Sequence, residues 1–127
     1  TDVSGSSDVF IGGVVSYSND IKMDELDVSP VDLEKYGAVS EEVAKQMALG
    51  VRERYDVDIS VSTSGIAGPG GGSAEKPVGT IAVGVSFKSG SFSKMYQLRN
   101  EGRKKTKDRF VVCALLSLLN FIEKIDQ

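Results

Sequence analysis

Apolar and polar positions along the first third of the chain predict a strand and two short helices. Val9 to Tyr17 is apolar and β-branched, which is typical of a buried strand, with a close backbone approach at Gly12-Gly13. Ser18 and Asn19 supply N-cap chemistry for a helix from about Asp20 to Leu26. Ser29-Pro30, a cap followed by proline, opens a second helix that ends at Gly37.

The middle and the end of the chain alternate between longer helices and strands. Ser40 caps a helix with one apolar face, formed by Val43, Met47, Val51 and Tyr55. The next strand is predicted from Val57 to Ser62, and a hairpin follows from Gly79 to Phe87 and from Phe92 to Leu98. The last helix runs from about Arg103 to Lys124. It is almost wholly apolar from Phe110 to Ile122 and is expected to be deeply packed.

This order of elements predicts one α/β domain over residues 1–127. The sheet should be mixed, because the hairpin requires at least one antiparallel strand. In such folds, ligands bind beyond the carboxyl ends of parallel strands. The segment Tyr17-Ser18-Asn19 follows one predicted strand, and a glycine-rich loop over residues 64–72 follows another, so the two are expected at the same edge.

The glycine-rich loop reads Ser64-Gly65-Ile66-Ala67-Gly68-Pro69-Gly70-Gly71-Gly72. A segment with so few side chains cannot form a core. Its functional groups are therefore those of the exposed backbone. Main-chain N–H groups in such a loop suit an anion or an oxyanion. An ordinary flexible hairpin or linker explains the same glycines.

Composition describes a globular protein with a net charge of −3, 40% hydrophobic and 26% charged residues. The negative balance argues against nucleic acid as a partner. No apolar run is long enough to span a membrane and no signal-type segment is present, so we expect a cytoplasmic protein. The C-terminal third contains a local cluster of basic residues: Arg99, Arg103, Lys104, Lys105, Lys107 and Arg109. Such a cluster either binds a phosphate or forms a solvated helix face.

The chain has no histidine, which excludes Ser-His-Asp and Cys-His catalysis and a His-based zinc site. Its single cysteine, Cys113, is placed as an apolar packing residue. A serine nucleophile would therefore need a lysine base with a pKa lowered by burial. Lys22, just past the first strand, is the best candidate, although a solvent-facing helix lysine fits the position too. Nearby hydroxyls are those of Ser6, Ser7, Tyr17 and Ser64, and serines at such places are commonly caps or turn residues.

Four blocks of the sequence resemble, in matching order, the CinA carboxy-terminal domain family, also called competence/damage-inducible proteins or nicotinamide-nucleotide amidases. They are Tyr17-Ser18-Asn19-Asp20-Ile21-Lys22, Gly37-Ala38-Val39-Ser40-Glu41-Glu42-Val43-Ala44, Ser64 to Pro69 with Gly71-Gly72, and Lys76-Pro77-Val78-Gly79-Thr80. The similarity covers Ser4 to about Leu119. It implies a three-layer α/β/α sandwich with a mixed, mostly parallel sheet. It also implies an enzyme without cofactor or metal that deamidates nicotinamide mononucleotide to nicotinate mononucleotide and ammonia.

The resemblance also implies roles for individual residues. Lys22 would be the base and Tyr17 its neighbour. Ser7 is taken as the nucleophile in this chain, and Ser64 replaces a threonine that is usual in the family. The substrate would be bound by Gly65, Ile66, Ala67, Gly68, Gly71 and Arg103.

One family block has no counterpart in this sequence. Family members carry an upstream strand and helix that begin with Glu-Ser-Cys-Thr-Gly-Gly, so we expect a domain truncated at its N-terminus. Two alternatives to the amidase remain open: a nucleotide-binding or regulatory module that keeps the pocket without hydrolysis, and a structural protein without a ligand. Self-association into a homo-oligomer is also expected.

Overall fold

The fold is described from a computed structural model, which covers residues 1–126. Four α-helices and three strands follow a short 3-10 turn at Ser6–Asp8. The elements are α1 (Asn19–Leu26), α2 (Pro30–Tyr36), α3 (Glu41–Tyr55), β1 (Ile59–Gly65), β2 (Thr80–Phe87), β3 (Gly90–Gln97) and α4 (Arg103–Ile125). The predicted α/β class is confirmed.

The predicted helix starts are confirmed by their capping bonds. The hydroxyls of Ser18, Ser29 and Ser40 accept the N–H groups of Ile21, Asp32 and Val43, each three residues further on. Gly37 closes α2 with φ 79, a backbone conformation that glycine adopts without strain. Local sequence thus fixes where the first three helices begin.

Two helices sandwich the sheet between them. On one face, the carbonyls of Ala44 and Ala48 in α3 accept the hydroxyls of Ser62 and Ser60 in β1. On the other face, Phe110 and Ala114 of α4 pack against the alternate residues of β2, which are Ile81, Val83, Val85 and Phe87. A second apolar cluster joins α1, α2 and α3 through Leu26, Val28, Leu33, Val43 and Met47.

The expectation of a mostly parallel sheet is corrected by the strand pairing. The order is β1-β2-β3, and both described pairs are antiparallel. The connection from β1 to β2 contains no helix, and parallel neighbours need a crossover, usually a helical one. Instead the chain turns back on itself, since the N–H of Ile66 donates to the carbonyl of Thr80 at 2.9 Å.

The strand predicted from Val9 to Tyr17 is absent from the described residues. Val9 and Phe10 belong to the end of the 3-10 turn, and Ile11 to Tyr17 pair with no strand within residues 1–126. Only Val14 packs against the second apolar cluster, whereas Val15 is 88% exposed. Apolar, β-branched residues favour a strand, but a strand also requires a hydrogen-bonded neighbour.

The prediction that α4 is deeply packed is also wrong. The sheet covers only one face of this helix, and its buried residues are Thr106, Phe110, Ala114 and Ser117. Six apolar residues on the rest of the helix remain exposed: Val111, Val112, Leu115, Leu116, Leu119 and Ile125. A single sheet face can bury only one stripe of a helix.

Candidate functional site

Lys22 lies on the inner side of α1 with only 5% of its surface exposed. Its ammonium donates to the carbonyl of Ser16 at 2.7 Å and, more weakly, to that of Tyr17 at 3.4 Å. No carboxylate within residues 1–126 forms an ion pair with it. Burial lowers the pKa of Lys22 from its usual value of 10.5, because desolvation disfavours the charged form. The lysine singled out in the sequence is therefore a buried amine rather than a solvated surface group.

The lowered pKa of Lys22 has a consequence for stability. Below the folded-state pKa, the amine is protonated in both states, and burying the charge costs the folded state free energy. Between that pKa and 10.5, the unfolded state binds one more proton, so the free energy of unfolding should rise with pH. Urea unfolding of the wild type and of Lys22→Met from pH 7 to 10.5 measures this. We expect the rise in the wild type to exceed that in the variant, and equal slopes would contradict the assignment.

Tyr17 serves Lys22 through its backbone rather than through its phenol. The carbonyl accepts from the Lys22 amine, while the side chain is 86% exposed. No hydrogen bond of the described residues joins the phenol to a serine or to Lys22. In these contacts Tyr17 is a neighbour of Lys22 through its backbone carbonyl alone.

Ser64 is buried near the end of β1, on the α3 side of the sheet. Ser60, Ser62 and Ser64 are two residues apart and therefore lie on the same face of the sheet. Because Ser60 and Ser62 bond to successive turns of α3, Ser64 lies toward the capped start of that helix. The hydroxyl therefore lies where β1 runs into the glycine-rich loop, as the sequence predicts.

Ser7 lies apart from these groups in its contacts. It is exposed in the 3-10 turn Ser6–Asp8, where Ser6 donates its hydroxyl to the Val3 carbonyl. Within residues 1–126, no hydrogen bond joins Ser7 to Lys22, Tyr17 or Ser64. The structure thus brings Lys22 together with Ser16 and Tyr17, but does not bring Ser7 to Lys22.

The glycine-rich loop is closed at its neck and supported from α4. Ile66 bonds across the neck in both directions, donating to Thr80 and accepting from the N–H of Gly79 at 2.8 Å. Arg103, the first residue of α4, donates to the Gly68 carbonyl at 2.8 Å. Arg103 and Gly68, both predicted from sequence as substrate-binding residues, are therefore in direct contact with each other. The flexible-linker interpretation does not fit a loop held in this way.

Glycine at position 65 is required by close packing on the α4 side. A Cβ there would lie 2.8 Å from the ring of Phe110 and 3.1 Å from the Thr80 carbonyl oxygen. Successive N–H groups along a strand point to opposite sides. Since the N–H groups of Ser64 and Ile66 point toward β2, that of Gly65 points away from β2, toward the free edge of β1.

The structure distinguishes Ile66 from the other loop residues that the sequence names as substrate-binding. Ile66 is a poor oxyanion donor because its N–H is already bonded to Thr80. In contrast, the hydrogen bonds found within residues 1–126 leave unused the amides of Ala67, Gly68, Gly70, Gly71 and Gly72. Only the strand pairing distinguishes these amides from that of Ile66, so the sequence carries no signal for the difference.

Lys76 and Thr106 carry further polar groups near the loop. Lys76 donates to the carbonyl of Tyr36, the last residue of α2. Thr106 is fully buried in the first turn of α4, and its hydroxyl has no hydrogen-bond partner within the described residues.

Cys113 is half-buried against the sheet, and burial raises the pKa of its thiol, which keeps it protonated and unreactive.

The family model described as the CinA C-terminal domain matches residues 1–122. The chain belongs to the CinA C-terminal domain family. A CinA-like protein of Chlorobium limicola is 47% identical over 129 residues, which are 98% of this chain but 30% of that protein. The chain thus spans about a third of the length of this CinA relative.

Solved structures of the CinA superfamily share the fold. The competence/damage inducible protein CihA from Agrobacterium tumefaciens matches with a TM-score of 0.85 at 36% identity, over 98% of this chain and 74% of that one. A competence or damage-inducible protein from Enterobacter asburiae matches with a TM-score of 0.86 at 28% identity, over 93% of this chain and 74% of the other. No helix in residues 1–126 has the length and apolar character needed to cross a membrane.

Proposed function

We propose that this CinA domain deamidates nicotinamide mononucleotide to nicotinate mononucleotide and ammonia, with a serine nucleophile and Lys22 as the base. The observation that carries the proposal is the buried amine of Lys22, held by two backbone carbonyls and by no carboxylate of the described residues. Its pKa is lowered, which increases the fraction of neutral amine at neutral pH. A base in such surroundings is what a chain without histidine needs.

In this mechanism, neutral Lys22 takes the proton of the serine hydroxyl as the oxygen adds to the carboxamide carbon. Loop amides stabilise the resulting oxyanion, and donors of this kind contribute about 3 kcal/mol each. The Lys22 ammonium then protonates the amide nitrogen, which leaves as ammonia and a serine ester remains. Water hydrolyses the ester, releases nicotinate mononucleotide and restores the serine.

The glycine-rich loop and the start of α4 are suited to the substrate's phosphate. The amides of Gly70, Gly71 and Gly72 are available, and Arg103 and Lys107 bring positive charge to the same end of α4. The first turn of α4 contains no acidic residue, so the helix dipole adds to this positive potential. A phosphate there would receive charge-assisted hydrogen bonds.

An ammonia assay and calorimetry with nicotinamide mononucleotide test the proposal together. Hydrolysis predicts both binding and ammonia release by the purified protein. Binding without ammonia release would favour the nucleotide-binding module. One observation supports that alternative: within residues 1–126, Lys22 bonds to backbone carbonyls and to no serine hydroxyl. If the protein neither binds nicotinamide mononucleotide nor releases ammonia, both functions are contradicted.

The identity of the nucleophile is testable by trapping the serine ester. Rapid acid quenching during turnover, followed by peptide mapping, should locate the nicotinoyl group on the peptide that carries Ser7 or on the one that carries Ser64. Ser64 is favoured by its burial beside the loop, and Ser7 by the resemblance to the family. An ester on neither peptide would remove both serines from the mechanism.

A further inference from the structure

The glycine-rich loop has a second attachment, opposite to the one made by Arg103. Lys76 lies on the returning limb of the loop and is half-buried. Its ammonium donates to the Tyr36 carbonyl at 2.5 Å, across a sequence separation of 40 residues. This is the one long-range side-chain bond found in residues 1–126 between the loop and the helices on the α3 side.

The acceptor of this bond is a group that otherwise lacks a helical partner. Tyr36 ends α2, and the last carbonyls of a helix have no N–H of their own helix to accept. They also lie at the negative end of the helix dipole, where a cation is stabilising. An ammonium is therefore well suited to this position, and its bond fixes the limb of the loop to the end of α2.

The joint between α2 and α3 is itself held by hydrogen bonds, so that Lys76 attaches the loop to a braced part of the fold. Gly37 follows Tyr36, and its carbonyl accepts the hydroxyl of Ser40 at 2.8 Å. Ser40 also caps α3, which in turn bonds to Ser60 and Ser62 of β1. Hydrogen bonds therefore connect β1 to α3, α3 to the joint, and the joint to Lys76, and the backbone of the loop leads from Lys76 back to β1.

Lys76 also organises the limb that carries it. Its backbone N–H donates to the Ser73 hydroxyl at 3.0 Å, and its carbonyl accepts the Ser73 N–H at 2.9 Å. The amides of Gly70, Gly71 and Gly72 lie between this turn and the Gly68 carbonyl that Arg103 holds. Both ends of the amide-bearing segment are thus attached to separate helices.

We propose that Lys76 is a positioning residue that clamps the glycine-rich loop to the end of α2 and so prepares the loop amides for the nucleotide substrate. This inference rests on the proposed function for the identity of the substrate. Preordering the loop removes an entropy cost from binding, so the clamp should strengthen the binding of substrate more than it accelerates the chemical step.

The test compares Lys76→Met, which keeps the aliphatic stem and removes the ammonium, with Lys76→Arg, which keeps a donor to the carbonyl. Lys88→Met, an exposed lysine in the β2–β3 turn, is the matched control. For Lys76→Met we expect the Kd and the KM for nicotinamide mononucleotide to rise about tenfold, with kcat within about threefold of wild type. Lys76→Arg should restore most of the affinity, and Lys88→Met should resemble wild type.

Hydrogen exchange provides a readout that does not depend on activity. In Lys76→Met, the amides of Ser73 and of residue 76 should lose about tenfold in protection, while those of Val83 and Val85 in β2 keep theirs. Unchanged exchange at Ser73 and 76, or unchanged Kd and KM in a variant that has lost this protection, would overturn the inference. A wild-type protein that binds nicotinamide mononucleotide without releasing ammonia would refute the proposed hydrolysis, and the Kd and exchange measurements would still decide on the clamp.

Discussion

Replacing Lys22 by methionine should lower the rate of ammonia release at least about 100-fold, since general bases typically contribute 10²- to 10⁴-fold. Methionine has a similar volume and no proton to exchange, so the change removes the base and keeps a side chain of similar size in the buried position. We expect the free energy of unfolding at neutral pH to stay within about 1 kcal/mol of wild type.

Two effects of similar size oppose each other in that stability estimate. The variant no longer buries an ammonium, which favours its folded state. It also leaves the Ser16 carbonyl without its donor, and a bond to a charged group contributes about 1.5–3 kcal/mol. A large loss of activity with little change in stability is therefore the signature of a functional lysine.

The matched control is Lys45→Met, which makes the same change at an exposed position of α3. It should leave turnover and stability unchanged. Steady-state ammonia release and urea unfolding measure both quantities on the same preparations. Wild-type turnover by a folded Lys22→Met protein would exclude Lys22 as the base, and the serine mechanism would then lack any proton acceptor that we have identified.

The sequence predicts local features of this fold well. Ser18, Ser29 and Ser40 act as caps because a cap requires only a side-chain oxygen three residues before an amide. The predicted hairpin is also confirmed, since β2 and β3 are adjacent in the chain and their register is set by the short turn between them. Such features depend on residues that are close in sequence.

Features that depend on a distant neighbour are predicted less well. Val9 to Tyr17 has the composition of a strand, but pairing requires a second strand, and none pairs with it within residues 1–126. The apolar run of α4 predicts burial, but the sheet covers only the face that includes Phe110 and Ala114. Composition indicates what a residue prefers, whereas packing depends on which surfaces are present.

The candidate site divides in the same way. Lys22 is identifiable from the sequence because few residues can replace histidine as a base. The attachments of the loop are not, since the contacts of Arg103 with Gly68 and of Lys76 with Tyr36 join residues 35 and 40 positions apart. The sequence also places Ile66 among the substrate-binding residues, although its N–H is committed to Thr80.

Gly50→Ala is expected to destabilise the fold by about 2 kcal/mol or more, although helix propensity alone predicts a gain. Alanine in place of glycine within a helix ordinarily stabilises by about 1 kcal/mol. Here the added Cβ would lie 2.0 Å from the carbonyl oxygen of Leu26, where α1 crosses close to α3. A backbone oxygen cannot rotate away as a side chain does, so the contact is relieved only by moving α1. Overpacking of this kind costs about 1–3 kcal/mol and occasionally more.

The position of Gly50 also connects the packing of α1 to the candidate site. Lys22 lies one helical turn before Leu26 on α1, so a displacement of Leu26 should also move the amine from its carbonyl partners. We therefore expect Gly50→Ala to reduce ammonia release as well as stability. Gly13→Ala is the matched control, because a Cβ at position 13 has nothing within 4 Å. Urea unfolding of the two variants decides the matter: a Gly50→Ala protein as stable as Gly13→Ala would show that α1 and α3 are not in the close contact from which the burial of Lys22 follows.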